Sequence, residues 1–322
     1  MKAGSIIPRG DILKSNNNWT PNWTPNLHIE FFPAEGIASA FDYYTGSAVV
    51  PITASLANNT VNLQFGDPGT PGKVEVYNVD RFSTVVRNGQ PLTNGTDFAY
   101  DAAAQRLVIP FAGSTNASVS LAPSVNAGPD ATIFKGATFM SAGSFFEVGG
   151  VSWTGTVDYG DGSGEQPLAL NGMSFVLNHV YTDVGHFNLV LKVTDDVGRV
   201  GTDTALVNVI YAFNGFFAPT GNPPEVNSAR AGSTVPVKFS LSGYQGLSPF
   251  SVGSEQYDCA TGDPLGAIEP TSRPGASAVQ YDPRLDQYQY NWKTDKAWDG
   301  TCRQLVVLLN DGTVHVANYR FQ

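Results

Sequence analysis

The sequence predicts an all-β protein made of tandem β-sandwich modules. Apolar and polar residues alternate in short runs: Leu27, Ile29, Phe31; then Phe187, Leu189, Leu191, Val193; then Val235, Val237, Phe239, Leu241. Such period-two runs mark strands with one buried face. The runs are bounded by turn formers, since 34 glycines and 21 prolines occur among 322 residues, and these residues punctuate strands. No long stretch carries the i, i+3, i+4 apolar spacing of a helix. At 42% hydrophobic residues the chain can fill cores, and its length suits two or three domains of ordinary size.

The charge balance excludes some function classes. Only 14% of residues are charged and the formal net charge is −10. Nucleic-acid binding needs basic patches to neutralise phosphates, and none is visible, so no nucleic-acid partner is expected. No run of about 18 apolar residues occurs, so no membrane span is expected. The opening Met1 to Pro8 is too short in apolar length for a signal peptide.

Taken in order, Lys2 to Gly10 reads as a strand ending in a Pro8, Arg9, Gly10 turn. An Asn/Trp/Pro loop runs from Asn16 to Asn26. Strands follow at Leu27 to Phe31, Val61 to Phe65 and Val74 to Tyr77, with Phe41 to Gly46 read as a turn. Asp97 to Asp101 and Arg106 to Phe111 form a hairpin-like pair, closing on Ala117 to Leu121. The K-x-G-S-I-I-P segment, the F-x-Y-Y-x-G stretch, V-R-N-G-Q-P-L at Val86 to Leu92 and the Leu107 to Ile109 strand resemble, in this order, the C-terminal β-domains of glycoside hydrolase family 31. The resemblance covers about 120 residues and implies a partial sandwich at 1–26 and a second one at 27–122. That family usually carries paired acidic residues in its Y-x-D-x-G turn, where Tyr43, Tyr44, Thr45 and Gly46 stand here. The family's catalytic barrel needs about 250 residues of helix–strand alternation, and the chain has none. The expectation is therefore that Met1 is an internal position of a longer secreted enzyme, with a signal peptide upstream and the barrel as a packing partner.

The stretch from Val151 to Val193 is the most distinctive. Trp153, Asp158-Tyr159-Gly160-Asp161-Gly162, His179, Tyr181, Gly185 and Phe187 together resemble the polycystic-kidney-disease (PKD) domain. This implies an immunoglobulin-like sandwich over 123–211, a module rather than a catalyst. Trp153, His179 and Tyr181 are expected in its core, His179 as a hydrogen-bonded neutral imidazole that satisfies a donor and an acceptor. Asp158, Asp161 and Glu165 share one glycine-rich turn, and oxygen ligands at short spacing can hold Ca²⁺. The glycines are needed there for positive φ in any case, so a structural turn is preferred, with calcium the only cofactor left open. Asp195, Asp196 and Asp203 are read as a solvated acidic loop.

Residues 212–322 begin a new unit. Pro236-Val237-Lys238-Phe239, Trp292-Lys293-Thr294, Trp298 and Gly300-Thr301-Cys302-Arg303 resemble a small C-terminal domain of secreted bacterial proteins named for its Pro-x-Lys-Phe motif. Pro236 inside the Val235 to Leu241 run argues for an edge strand. The only cysteines, Cys259 and Cys302, form an even pair within one domain and are expected to form a disulfide. Tyr288, Tyr290 and Trp292 share one strand face: a core filling is preferred, and a sugar-stacking or partner platform is the alternative. Asp311-Gly312 between apolar runs signals a hairpin.

Two functions are carried forward. The first is a non-catalytic, extracellular accessory region of a family 31 α-glycosidase, serving as spacer and packing surface and touching polysaccharide or the cell surface. The second is a stand-alone extracellular adhesion or structural protein.

Overall fold

The computed structural model describes residues 2–9, 27–44, 48–271 and 279–322. The loop from Asn16 to Asn26 and the Thr45 and Gly46 positions lie outside the described residues. Among the described residues the regular elements are strands, apart from a 3₁₀ turn at Lys296–Trp298. The strands assemble into six sheets. By internal contacts the chain divides into two compact units: Met1–Pro129 with Met140–Leu177 and Asn188–Ala205, and Asp130–Phe139 with Asn178–Phe187 and Leu206–Gln322.

The first pair of sheets encloses one core. A five-stranded sheet orders Ser5–Arg9, Leu27–Phe32, Gly72–Val76, Arg106–Phe111 and Ala99–Asp101. A six-stranded sheet orders Ile37–Tyr44, Val49–Ala57, Thr60–Phe65, Thr115–Ser120, Thr84–Arg87 and Gln90–Pro91. Alternation decides which side chains enter: Leu27, Ile29 and Phe31 are buried while His28, Glu30 and Phe32 face outward, as the two-residue repeat of a strand requires. Ser5–Arg9 pairs antiparallel with Leu27–Phe32, so this piece of the opening segment is an edge strand of the same sheet. Phe41 to Tyr44, read as turn, is the end of the strand Ile37–Tyr44 and pairs with Val49–Ala57. Phe41 and Tyr43 pack against the core, and aromatic residues on a half-buried strand satisfy a local preference that tyrosine-rich turns lack.

The central module pairs a four-stranded sheet (Ser124–Asn126, Thr138–Phe146, Ser174–Val180, Leu170–Asn171) with a five-stranded one (Ala131–Phe134, Val200–Ile210, Gly185–Asp195, Trp153–Asp158, Glu165–Leu168). Phe175, Leu177, Leu189, Leu191 and Val193 are buried, as the alternation predicts.

The last sandwich orders Phe216–Phe217, Thr234–Phe239, Gln287–Lys293 and Val279–Asp282 in one sheet. The other holds Val226–Ala229, Val314–Phe321, Cys302–Leu309, Phe250–Tyr257 and Glu269–Pro270. Thr234–Phe239 lies second in its sheet, yet its outer neighbour reaches only Lys238 and Phe239. Pro236 therefore sits on a locally free edge, which its missing N–H tolerates. The Asp311-Gly312 turn joins Cys302–Leu309 to Val314–Phe321 as an antiparallel hairpin, with Gly312 at φ +84. The Asp311 carboxylate accepts from the Tyr211 backbone N–H at 2.6 Å and from that of Thr313 at 2.8 Å.

Candidate functional site

The acidic turn is a hairpin between Trp153–Asp158 and Glu165–Leu168. It does not gather its three carboxylates. Asp158 accepts from the Gly160 N–H and Asp161 from the Ser163 N–H and hydroxyl. Glu165 bonds Thr156 and pairs with Lys192 at 3.1 Å, two strands away. Each carboxylate closes its own local contact, and Asp158, Asp161 and Glu165 are not among the described groups whose donor atoms all lie within 4.8 Å of one another. Among the described residues, the only trio of metal-ligand side chains whose donor atoms lie within 4.8 Å of one another is His28, Glu30 and Glu75.

That trio lies on the outward face of the first sheet, where Glu30 stands opposite Glu75 in a parallel pair. Like charges facing across strands repel, and cations answer them. Lys73 reaches Glu75 at 2.6 Å and Arg106 at 3.1 Å, and Arg9 reaches Glu30 at 3.1 Å; the His28 ring lies 3.3 Å from Glu75. Burial pushes the Glu75 carboxyl up, but hydrogen bonds from Lys73 and Tyr77 and the nearby charges outweigh it and hold it at about 2. An added cation would have to displace Lys73.

The aromatic stripe is core. Tyr288 and Trp292 are 0% exposed and Tyr290 is 2% exposed, so none offers a ring face to a sugar or a partner. Neighbouring large side chains cover them: Phe239 stacks on Tyr288 at 5.7 Å and Tyr319 meets Trp292 edge-on at 5.2 Å. Tyr181 is fully buried and stacks on Phe187 at 4.8 Å. His179 is half-buried and meets the Tyr181 ring edge-on at 4.7 Å. The Trp153 ring is half-buried against Phe145 of the facing sheet at 5.4 Å. Cys259 and Cys302 are joined in a disulfide with Cα atoms 5.3 Å apart.

The most elaborate polar arrangement lies elsewhere in the first unit, where the Asp80-Arg81 corner meets the turn after Gly185–Asp195. Arg81 is only 7% exposed and donates to Asp196 at 2.5 Å, while the fully buried Asp195 carboxylate lies 3.4 Å away. Asp80 holds Arg81 from the other side at 3.1 Å and also pairs with Arg199 at 3.1 Å. Phe82 and Val148 exchange backbone hydrogen bonds beside it. Behind the guanidinium, Glu147 is 2% exposed and accepts from the Trp153 indole N–H at 2.7 Å. Hydrogen bonding to Arg81 and to the Val151 N–H holds Asp196 at about 2, and the Asp196 hydrogen bond raises Arg81 further. Burial pushes Glu147 up; the indole bond opposes this and the Asp195 charge adds to it. Asp195 also accepts from the backbone N–H groups of Val197 and Arg199.

This arrangement corrects the solvated-loop reading of Asp195 and Asp196, and Asp203 is engaged too, accepting from the Ala127 N–H at 2.8 Å. Asp80, Arg81, Glu147 and Arg199 carried no motif. The usable signal was the rarity of charge: an Asp-Arg pair within an apolar run is retained inside a core only if it is paired. The arrangement holds its charges in fixed ion pairs around a β-bridge, so what it does is bind two segments together and exclude water from their charges.

The sheets define a tandem β-sandwich protein. Residues 120–209 match the family model described as "PKD domain". No curated protein sequence matches the chain. Similar solved structures include a three-immunoglobulin-domain fragment of titin, at 10% identity and TM-score 0.30, covering 82% of this chain and 91% of that one. Extracellular domains of Drosophila OTK align at 9% identity and TM-score 0.30, covering 80% and 92%. Fibronectin(III)-like modules of Clostridium thermocellum CbhA align at 14% identity and TM-score 0.22, covering 62% and 92%. Overlaps this slight say nothing of function. No helix among the described residues is long and apolar enough to cross a membrane.

Proposed function

We propose that this chain is the non-catalytic C-terminal accessory region of a secreted bacterial family 31 α-glycosidase. In this reading the modules hold the enzyme at a distance from a surface, pack against its catalytic barrel and contact polysaccharide. The observation that carries it is the Arg81 joint: a β-bridge and a buried ion-pair network couple the first sandwich to the PKD-like module within one compact unit. A spacer needs stiffness between modules, and a largely buried ion-pair network gives more of it than a linker would. The motif order over the first 120 residues supports the parentage, and the disulfide suits an oxidising, extracellular setting. The alternative, a free-standing adhesion protein, draws on the same modules.

Reading the gene upstream of Met1 tests the parentage. An open frame encoding a (β/α)8 barrel is the expected outcome, and a stop codon followed by a ribosome-binding site overturns it. Hydrolysis of α-glucosides or α-xylosides by the purified chain would overturn the non-catalytic role. Light scattering addresses the alternative, since self-assembly favours an adhesion or structural protein.

A further inference from the structure

Three of the residues that carry the resemblance of the last module, Lys293, Thr294 and Trp298, line one cleft. Lys293 ends the strand Gln287–Lys293, Thr294 follows it, and Trp298 closes the 3₁₀ turn Lys296–Trp298. Together with Glu269 and Asp295 they line a cleft of about 430 Å³ whose floor includes the buried Ser254. Small-molecule sites run from about 300 to 1,000 Å³.

The walls are held in place before any ligand arrives. Asp295 caps the turn by accepting from the Ala297 N–H at 2.9 Å. Thr294 donates to the Ser233 carbonyl at 2.7 Å. The Arg303 guanidinium lies 4.2 Å over the Trp298 ring and donates to Glu269 at 2.6 Å. Arg303 is 5% exposed, and its Nε is buried without a hydrogen-bond partner. The disulfide at Cys302 anchors the start of the same strand. Gly232, at φ +79, lets Lys296 approach so closely that a Cβ there would stand 2.5 Å from its Cγ. Such immobile walls lower the ordering cost of binding.

The lining selects a chemical class. Lys293 and Lys296, with Arg303 held on Glu269, stand beside the Glu269 and Asp295 carboxylates, so charges of both signs line the cleft. Mostly polar walls disfavour a greasy ligand. Donors and acceptors of both kinds surround one indole, half-buried against Arg303, Trp292 and Phe321, and the part of it that lines the cleft suits apolar C–H groups between hydroxyls. Glu269 and Asp295 each commit one oxygen, to Arg303 and Ala297, which leaves the other for a ligand hydroxyl. From this geometry we infer that the cleft beside Trp298 binds a neutral polyhydroxylated ligand, one or two sugar units of a glycan chain. The inference rests on the accessory-module reading and gives its polysaccharide contact a place.

Native affinity electrophoresis of the full chain tests it, in gels cast with amylopectin, dextran or xyloglucan and referred to a glycan-free gel. Retardation in at least one gel is expected. Lys293→Ala and Lys296→Ala alter exposed side chains outside the core and should weaken the apparent Kd about tenfold when combined, the loss of one or two polar contacts. Trp298→Ala, checked for folding by near-ultraviolet circular dichroism, should weaken it at least as much. No retardation in any gel overturns the inference. Retardation that survives the lysine pair places binding elsewhere and overturns this cleft while leaving the accessory role standing. Digestion of the glycan in the gel would instead count against the non-catalytic reading.

Discussion

Arg81 Nη1 donates to Asp196 Oδ1 at 2.5 Å across 115 residues of sequence. The same nitrogen lies 3.4 Å from Asp195 Oδ2, a carboxylate with no exposed surface. One guanidinium thus neutralises two adjacent acids, and together with Asp80 on its other side they make its own burial tolerable.

Arg81→Ala should therefore be among the most damaging single changes in the first unit. Removing one partner of a buried pair strands the other, and such losses run to about 3–5 kcal/mol. Urea denaturation followed by tryptophan fluorescence should show a lower midpoint. A midpoint equal to wild type would mean that solvent reaches Asp195 after all.

Stability should respond to pH in two opposite ways. Glu75 and Asp196 are held at about 2, below ordinary values of 4.5 and 3.8. Their contribution is fully present above the ordinary values and is lost as pH falls toward 2. Glu147 is displaced upward by burial, so its contribution is present below the ordinary value and is lost as pH rises through its folded one. Glu147 Oε1 and Asp195 Oδ2 are both buried without a hydrogen-bond partner, and a proton on Glu147 would let it donate to Asp195. Glu147→Gln keeps an acceptor for the Trp153 indole and supplies a permanent donor. Melting temperatures should fall with rising pH less steeply in this variant than in wild type above the ordinary carboxylate value, while the acid limbs coincide. Parallel curves throughout would show that Glu147 does not titrate in the folded protein.

Reduction should weaken the last module selectively. The disulfide spans 43 residues, and closing a loop of that size contributes about 4 kcal/mol in the chain-entropy model. Thiol titration of the unfolded, unreduced protein should find no free thiol. Cys259→Ser with Cys302→Ser should lower the melting transition of the second unit and leave the first in place. A free thiol in the untreated protein, or an unchanged transition in the double variant, would refute the covalent link or its weight.

Tyr288→Phe separates core from surface roles. The Tyr288 hydroxyl donates to the Gly246 carbonyl at 3.0 Å and accepts from the Gln245 N–H, and burial pushes it up to about 12. Losing it strands a backbone N–H and should cost about 1–2 kcal/mol. Glycan retardation in affinity gels should not change. Weakened retardation with unaltered stability would reverse the placement of this residue.

Much of the fold was legible because it rests on local alternation. Leu27, Ile29, Phe31 and Val235, Val237, Phe239 point inward because successive side chains of a strand face opposite ways, and Asp311-Gly312 reverses the chain because its backbone can reach positive φ. Those properties belong to neighbours in sequence. Residue type and parity alone settled less for Tyr288, Tyr290 and Trp292, since an aromatic stripe serves a core and a platform equally well until the facing sheet is known. The acidic residues were legible least. Asp158, Asp161 and Glu165 sit together in sequence and part in space, whereas Arg81 and Asp196 are distant in sequence and share a hydrogen bond. Ion pairing depends on inverse distance and on exclusion of water, and both are set by how the sheets stack rather than by the order of residues along any one strand.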